Sequence, residues 1–373
     1  MASYDALFEP FKLTDEVTLP NRLVIAPMTT WSGNLNGTVS DQELAYYKRR
    51  AALAGLFISG CIAVSPTGLA FDHQFIAYDD AVLPRLKRLA EAMKSGGSKA
   101  ILQIQHGGSE AEPKFVLFNQ TLSASAVPSF SNPEVIPEEM TEEQIETVVH
   151  EFGIAARQAI RAGFDGVEIH GANHYLIQQF VSAYFNRRTD KWGGPLENRL
   201  RFSFAVLDEV QSVVRKYADK SFIVGYRFSP EEVHRDSGYT VEDTTHLVDG
   251  LIDRGVNYVH VSQNNIQSVP TGQKGNNETI VHLLADHIGK RVPLIAVGGI
   301  HQPEEAAAGL RDGADLVALG REAIMEPDWT AKVRAGETGS IRVTLDPGSQ
   351  NELVVPDRLW KIITQRNGWF PVD

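Results

Sequence analysis

Short apolar runs alternate with amphipathic segments about eight times along this chain, and no other feature restricts its fold as tightly. The runs fall at 23–28, 55–64, 100–106, 166–171, 222–229, 258–262, 294–299 and 316–320. They are rich in Ile, Val, Leu and Phe. Several are continuous rather than alternating, the pattern of strands buried on both faces and hence of a parallel sheet. Between them lie helical patterns with readable ends. Ser40 precedes Glu43 with capping-box spacing, and Thr141 precedes Gln144 in the same way, ahead of a helix that Gly163 closes. Further helices are expected at 198–217, 241–254, 278–289 and 303–313, with a C-terminal one at about 355–366. Eight such units predict an α/β protein built as a single (β/α)8 TIM barrel over residues 1–373, with an N-terminal extension at about 1–20. A doubly wound sheet would carry a glycine-rich turn after its first strand, and none follows 23–28.

Composition narrows the function classes. The 373 residues carry 35 Lys or Arg against 47 Asp or Glu, a formal charge of −12, and no basic run interleaved with aromatics; no nucleic-acid partner is expected. No apolar stretch is long enough for a membrane span, and the first residues show no basic segment followed by an apolar one, so the cytoplasm is the expected location. The lone cysteine, Cys61, excludes an intramolecular disulfide framework and cysteine-ligated zinc or iron–sulfur sites. The histidines show no metal-binding spacing, so no metal is expected. Two long segments, 107–140 and 263–277, follow barrel strands and are expected as extended loops at the catalytic mouth. Glu231, Glu232 and Asp236 read as a solvated loop, and Trp192 and Trp329 as packing residues. The apolar end Trp369-Phe370-Pro371 suits docking either on the barrel or on a neighbouring subunit, so a homo-oligomer stays open.

In a barrel, chemistry collects where strands end. The first strand ends in Pro27-Met28-Thr29-Thr30-Trp31, the second contains Cys61, the third carries Gln103, Gln105 and His106, and the fifth contains Arg227. The seventh ends in Gly298-Gly299 and the eighth in Gly320-Arg321. Loops after strands 7 and 8 are where barrels commonly bind phosphate. Glycine lets backbone N–H groups approach the anion, Arg321 offers a charged fork, and Arg227 is a second cation. Gln103, inside an apolar strand, needs partners that either the backbone or a planar heterocycle can give. After strand 4 come His170, Asn173 and Tyr175, three donor or acid–base groups within six residues. Two of them suit one carbonyl or anionic oxygen, with Tyr175 nearby as an acid. His174, between them, is expected to point away.

These residues resemble the old yellow enzyme family. The block from Val167 through His170-Gly171-Ala172-Asn173-His174-Tyr175 to Phe180 is similar to its signature, and the stretch from Asn186 through Trp192-Gly193-Gly194-Pro195 to Arg199 to its next segment. Asn21-Arg22, Pro27-Met28-Thr29, Ser65-Pro66, Gln103 to His106 and Gly320-Arg321 match in order. The resemblance covers nearly the whole chain. It implies an FMN-containing barrel that takes electrons from NADH or NADPH and reduces activated alkenes. Pro27, Met28 and Thr29 would line the flavin ring, Gln103 its pyrimidine edge, and Arg227 the N1 and O2 side. Gly298, Gly299, Gly320 and Arg321 would hold the phosphate. His170 and Asn173 would bind the substrate oxygen, and Tyr175 would donate the proton. Three positions depart from the family pattern. Asn173 stands where many bacterial members have a second His. Trp31 stands near the substrate where Tyr is frequent. Cys61 faces the flavin where Gly or Ala is usual, and it reads first as a small buried hydrophobe. Larger relatives append an iron–sulfur segment, for which this chain lacks the cysteines, so FMN is expected to take electrons directly from NAD(P)H. The alternatives are a flavin-free barrel isomerase or aldolase on a phosphorylated metabolite, for which no strand-end Lys or carboxylate stands out, and a flavin-binding protein without turnover.

Overall fold

Eight parallel strands close on themselves in the computed structural model, which describes residues 4–234, 237–271, 277–366 and 368–373. The strands are β1 (Leu23–Ile25), β2 (Leu56–Ile58), β3 (Lys99–Gln105), β4 (Gly166–Gly171), β5 (Ile223–Phe228), β6 (Tyr258–Val261), β7 (Leu294–Val297) and β8 (Leu316–Leu319). Closure comes from β8 pairing with β1 at Val317 and Leu23, and β2 pairing with β3 at Phe57 and Ala100. The surrounding helices are α1 (Asp41–Arg50), α2 (Leu83–Lys94), α3 (Glu142–Ala162), α4 (Leu196–Tyr217), α5 (Val241–Asp253), α6 (Ile280–Ile288), α7 (Pro303–Arg311) and α8 (Trp329–Ala335). Their ends follow local chemistry. Thr141 and Gln144 cap α3 reciprocally, and Gly163 leaves it in the left-handed region at φ 81°. Ser40 caps α1 through the Glu43 N–H, but the Glu43 carboxylate turns inward to accept from Thr30, so the box is only half made.

The strand pleat sorts side chains into two layers. Val24, Leu56, Ile58, Ile295, Val297, Leu316 and Ala318 belong to a small inner cluster, while Leu23, Ile25, Phe57, Leu294, Val317 and Leu319 pack with the helices. Leu13, Val17 and Leu19, from and beside an N-terminal hairpin (Phe11–Lys12 with Thr18–Leu19), join the inner cluster. Register places Gln103, Glu168, Gly225 and Tyr258 in one row across β3–β6, and His170, Arg227 and His260 in a row above. The interior is therefore apolar along β7, β8, β1 and β2, while along β3–β6 polar rows stand above Ile101 and Ile223 of the same inner cluster. Gly225 is required by this row: a Cβ there would lie 2.0 Å from the Tyr258 ring.

Three sequence expectations shift. The second strand is not continuous over 55–64: it breaks at Ser59-Gly60-Cys61 and resumes at Ile62–Ala63, because Gly60 lies against Met28, whose carbonyl oxygen would be 2.7 Å from an added Cβ. The first and seventh strands end at Ile25 and Val297, so the residues expected to do chemistry lie just beyond the ladder. The pattern did not announce α2, which carries Pro84 in its first turn, nor the buried helix Leu176–Val181. The C-terminal helix is Asp357–Gln365, and the chain beyond it docks on its own barrel, with Val372 bridging Leu345 and Phe370 buried. Among the described residues, no helix is long and apolar enough to cross a membrane.

Candidate active site

At the C-terminal ends of β7, β8 and β1 lies a cavity of about 320 Å³, whose wall includes Pro27, Met28, Arg227, Gly298, Gly299, Gly320 and Arg321, and also Gln263, His301 and Trp369. Gly298 sits at φ 143°, and a Cβ there would lie 2.7 Å from the Asn265 backbone, so only glycine keeps this wall. Gly299 is also left-handed, at φ 61°, and Gly320 opens a short helix, Arg321–Met325. Arg321 Nη1 donates to the Trp369 carbonyl at 2.9 Å, so the C-terminal tail aims this guanidinium. Buried polar atoms without partners among the described residues collect here: both amide atoms of Gln263, and Arg227 Nε, whose guanidinium donates from Nη2 to Ser262 Oγ at 2.9 Å. Buried polar groups normally have partners, so this wall is shaped for a ligand rich in nitrogen and oxygen. FMN answers that inventory, with a phosphate for the glycine turns and Arg321, and heteroatoms for Gln263 and Arg227.

The remaining expected residues stand off this wall. Thr29 and Cys61 line a second, much smaller space with Thr30, Phe71 and Gln74. Gln103 sits deeper, its Nε2 donating to Glu168 Oε1 at 2.7 Å. Glu168 is fully buried and also accepts from Tyr258 OH at 3.0 Å and His260 Nδ1 at 2.9 Å. Burial opposes its charge, but His260, Arg227 and Gln103 outweigh that and hold it below the usual carboxylate range. It thereby balances Arg227 inside the barrel. Trp31, at φ 50°, packs edge-on between Phe71 and Trp369 at 5.9 and 5.7 Å.

His170, Tyr175, Cys61 and Asn173 form the corner expected to be reactive. The His170 and Tyr175 rings meet edge to face at 5.0 Å. Burial, helped by Arg227 and His260, drives the His170 imidazole well below its usual pKa, so the ring is neutral. Ala172 N–H donates to its Nδ1 at 3.3 Å, which leaves the proton on Nε2. Burial, then the neighbouring Cys61 and Glu110, raises Tyr175 well above its ordinary value, so it stays protonated. Burial also pushes the Cys61 thiol up to about 12, against hydrogen bonding from Thr29. Asn173 is left-handed at φ 58°, a conformation Asn tolerates, and its N–H donates to Ser229 Oγ at 3.0 Å. Its Oδ1 accepts from Ser262 Oγ at 3.2 Å, leaving the amide N–H₂ as the free donor end. Ser262 thus ties Asn173 to Arg227.

His174 does point away. It stacks on Phe130 at 3.9 Å and lies 3.4 Å from Glu232. This corrects the reading of Glu232 as solvated: it is buried, accepting from Gln178 Nε2 at 2.6 Å and from the Ser182 hydroxyl. Its position in a hairpin (Glu232–His234 with Ser237–Tyr239) folds it back under the mouth, while Glu231 stays outside on Thr271 and Asp236 lies outside the described residues. His106 is structural, held at Nδ1 by Gly108 N–H (3.1 Å) and at Nε2 by Thr67 (3.0 Å). Sequence reasoning passed over Gln263, Glu168 and His301. Glu168 could have been found from the alternation 166, 168, 170 on one strand face.

The family model for the NADH:flavin oxidoreductase / NADH oxidase family matches residues 6–339. The probable NADH-dependent flavin oxidoreductase YqiG of Bacillus subtilis (strain 168) is 43% identical over 368 residues, covering 99% of this chain and 98% of that protein. The NADH:fumarate oxidoreductase of Klebsiella pneumoniae (strain 342) is 39% identical over 97% of this chain, which spans only 39% of that longer protein. The solved structure of morphinone reductase in complex with tetrahydroNAD superposes with a TM-score of 0.76 at 29% identity, covering 89% of this chain and 91% of that one. A closed parallel barrel, a glycine-walled cavity suited to FMN and this agreement along almost the full length leave one assignment: the chain belongs to the NADH:flavin oxidoreductase / NADH oxidase family, as an FMN enzyme of the old yellow enzyme type with a nicotinamide electron donor.

Proposed function

We propose that this enzyme reduces the C=C bond of an activated alkene, such as an α,β-unsaturated carbonyl compound, with NADH or NADPH as the electron source. FMN, when bound, supplies the hydride chemistry between donor and alkene. The observation that carries the reading is the reactive corner. The neutral His170 presents Nε2–H, Asn173 presents its amide N–H₂, and a protonated Tyr175 stands against the His170 ring. The two donors suit the substrate's activating oxygen, where negative charge grows as the β carbon is reduced, and such interactions strengthen with that charge. Tyr175 then supplies the proton to the α carbon. Because His170 is uncharged in the resting site, the pair favours an oxygen that develops charge over one that already carries it. The names of the Bacillus and Klebsiella relatives favour NADH as donor.

The test is anaerobic. Enzyme reduced with one equivalent of NADH, or of NADPH, is mixed in stopped flow with an enone, a maleimide, a nitroalkene and an unsaturated ester. Reoxidation of the flavin with formation of saturated product supports the reading. Flavin that stays reduced with every alkene and is reoxidised only when dioxygen is afterwards admitted overturns it.

A further inference from the structure

The anion end of the cavity holds a residue that the reading above leaves unused. His301 lines that wall two residues after Gly299. Its Nδ1 donates to Glu322 Oε2 at 2.9 Å; Glu322 is fully buried, and its Oε1 has no partner among the described residues. The backbone around the ring is fixed as well. His301 N–H donates to Glu305 Oε2 at 2.6 Å, and its carbonyl accepts from Trp329 Nε1 at 2.7 Å. With Nδ1 engaged, Nε2 is the ring atom left for the cavity. A buried carboxylate behind an imidazole fixes its orientation and favours its cation, and here that cation shares a wall with Arg321 and the glycine turns.

We propose that His301 is a cationic ligand of the FMN phosphate beside Arg321, with Glu322 as its positioning residue. This deepens the phosphate site and rests on FMN as the resident cofactor. The charged groups facing the ring are Glu322, Glu305 and Arg321, and Glu326 in turn faces Glu322. The Glu322 hydrogen bond is the main cause that lifts His301 above its usual value, against burial and Arg321. Burial raises Glu322 itself to about 7. The imidazolium therefore survives to higher pH than in a free histidine and is lost as pH climbs through that raised value, so FMN binding weakens with rising alkalinity. The phosphate's own second ionisation, near pH ~6, runs in the opposite direction, and the riboflavin and His301→Gln comparisons separate the two.

The experiment reads FMN release from diluted holoenzyme by flavin fluorescence between pH 7 and pH 9, with riboflavin reconstituted into the same full chain as the phosphate-free control. His301→Gln should weaken FMN about tenfold at pH 7, the scale of one charge-assisted hydrogen bond, and should flatten the pH dependence. Riboflavin affinity should be unchanged, which also shows that the variant is folded. Glu322→Gln should keep the pH step but move it to lower pH. Unchanged FMN affinity in His301→Gln, or an equal loss for FMN and riboflavin, would overturn the role of His301. Wild-type chain that retains no flavin at any pH would overturn the FMN reading itself, an outcome distinct from the other two.

Discussion

The two ends of the site are built on opposite electrostatic plans. The end near β7 and β8 gathers Arg321, His301 and glycine-walled turns on one cavity wall, where the FMN phosphate is proposed to sit. At the other end, around His170, Tyr175 and Cys61, each group is held uncharged by burial. Arg227 lies between, on the cavity wall yet bonded to Ser262, which itself bonds Asn173. A cofactor phosphate keeps its charge throughout and can be met by fixed cations. A substrate oxygen gains charge only during the reaction, so donors that are neutral beforehand discriminate in favour of the transition state.

The sharpest way to break this contrast is at the neutral end. Tyr175→Phe should slow alkene reduction by about 10²-fold or more while flavin reduction by NADH changes little. Equal slowing of both half-reactions in stopped flow would remove Tyr175 as proton donor. At the charged end, Arg321→Ala should weaken FMN retention by about ten- to a hundredfold, measured by dilution, with the alkene half-reaction of fully loaded enzyme altered far less.

A third prediction concerns the scaffold behind the neutral end. Burial raises the Glu43 carboxyl to about 7, against the Thr30 hydrogen bond. The folded state then prefers the protonated form. Stability from this group is whole below about pH 4.5 and is lost as pH rises to about 7. Glu43→Gln should accordingly leave Tm unchanged near pH 4.5 and raise it by about 2–4 °C at pH 8. A Tm difference independent of pH would refute this. The smallest effect is expected at Cys61. With its thiol protonated, it acts as a packing group, and Cys61→Ala should keep kcat within about threefold. A larger fall in kcat would give the sulfur a part in aligning Tyr175.

The contrast also explains which parts were legible in the sequence. The barrel was readable because strands such as Leu294–Val297 and Leu316–Leu319 are buried on both faces and therefore run apolar. His170, Asn173 and Tyr175 could be grouped from sequence as candidates because they are near neighbours in the chain. What escaped depends on contacts between distant segments. Glu168 and His260 are 92 residues apart and meet only through strand register, so neither could be recognised as half of a pair. Gln263 and His301 show their purpose only once a wall is built around them. Glu232 was misread because its run of charges looked solvated, while a tight hairpin turns that one carboxylate inward.

The docked tail has a consequence for how the enzyme is made. The Arg321 guanidinium is aimed by the Trp369 carbonyl, and Trp369 is itself part of the cavity wall. Synthesis delivers the eight strands before it delivers this tail. All eight strands can thus emerge from the ribosome before the cofactor's berth is finished. With FMN in this cavity, flavin capture is expected to follow the emergence of Trp369 rather than barrel closure.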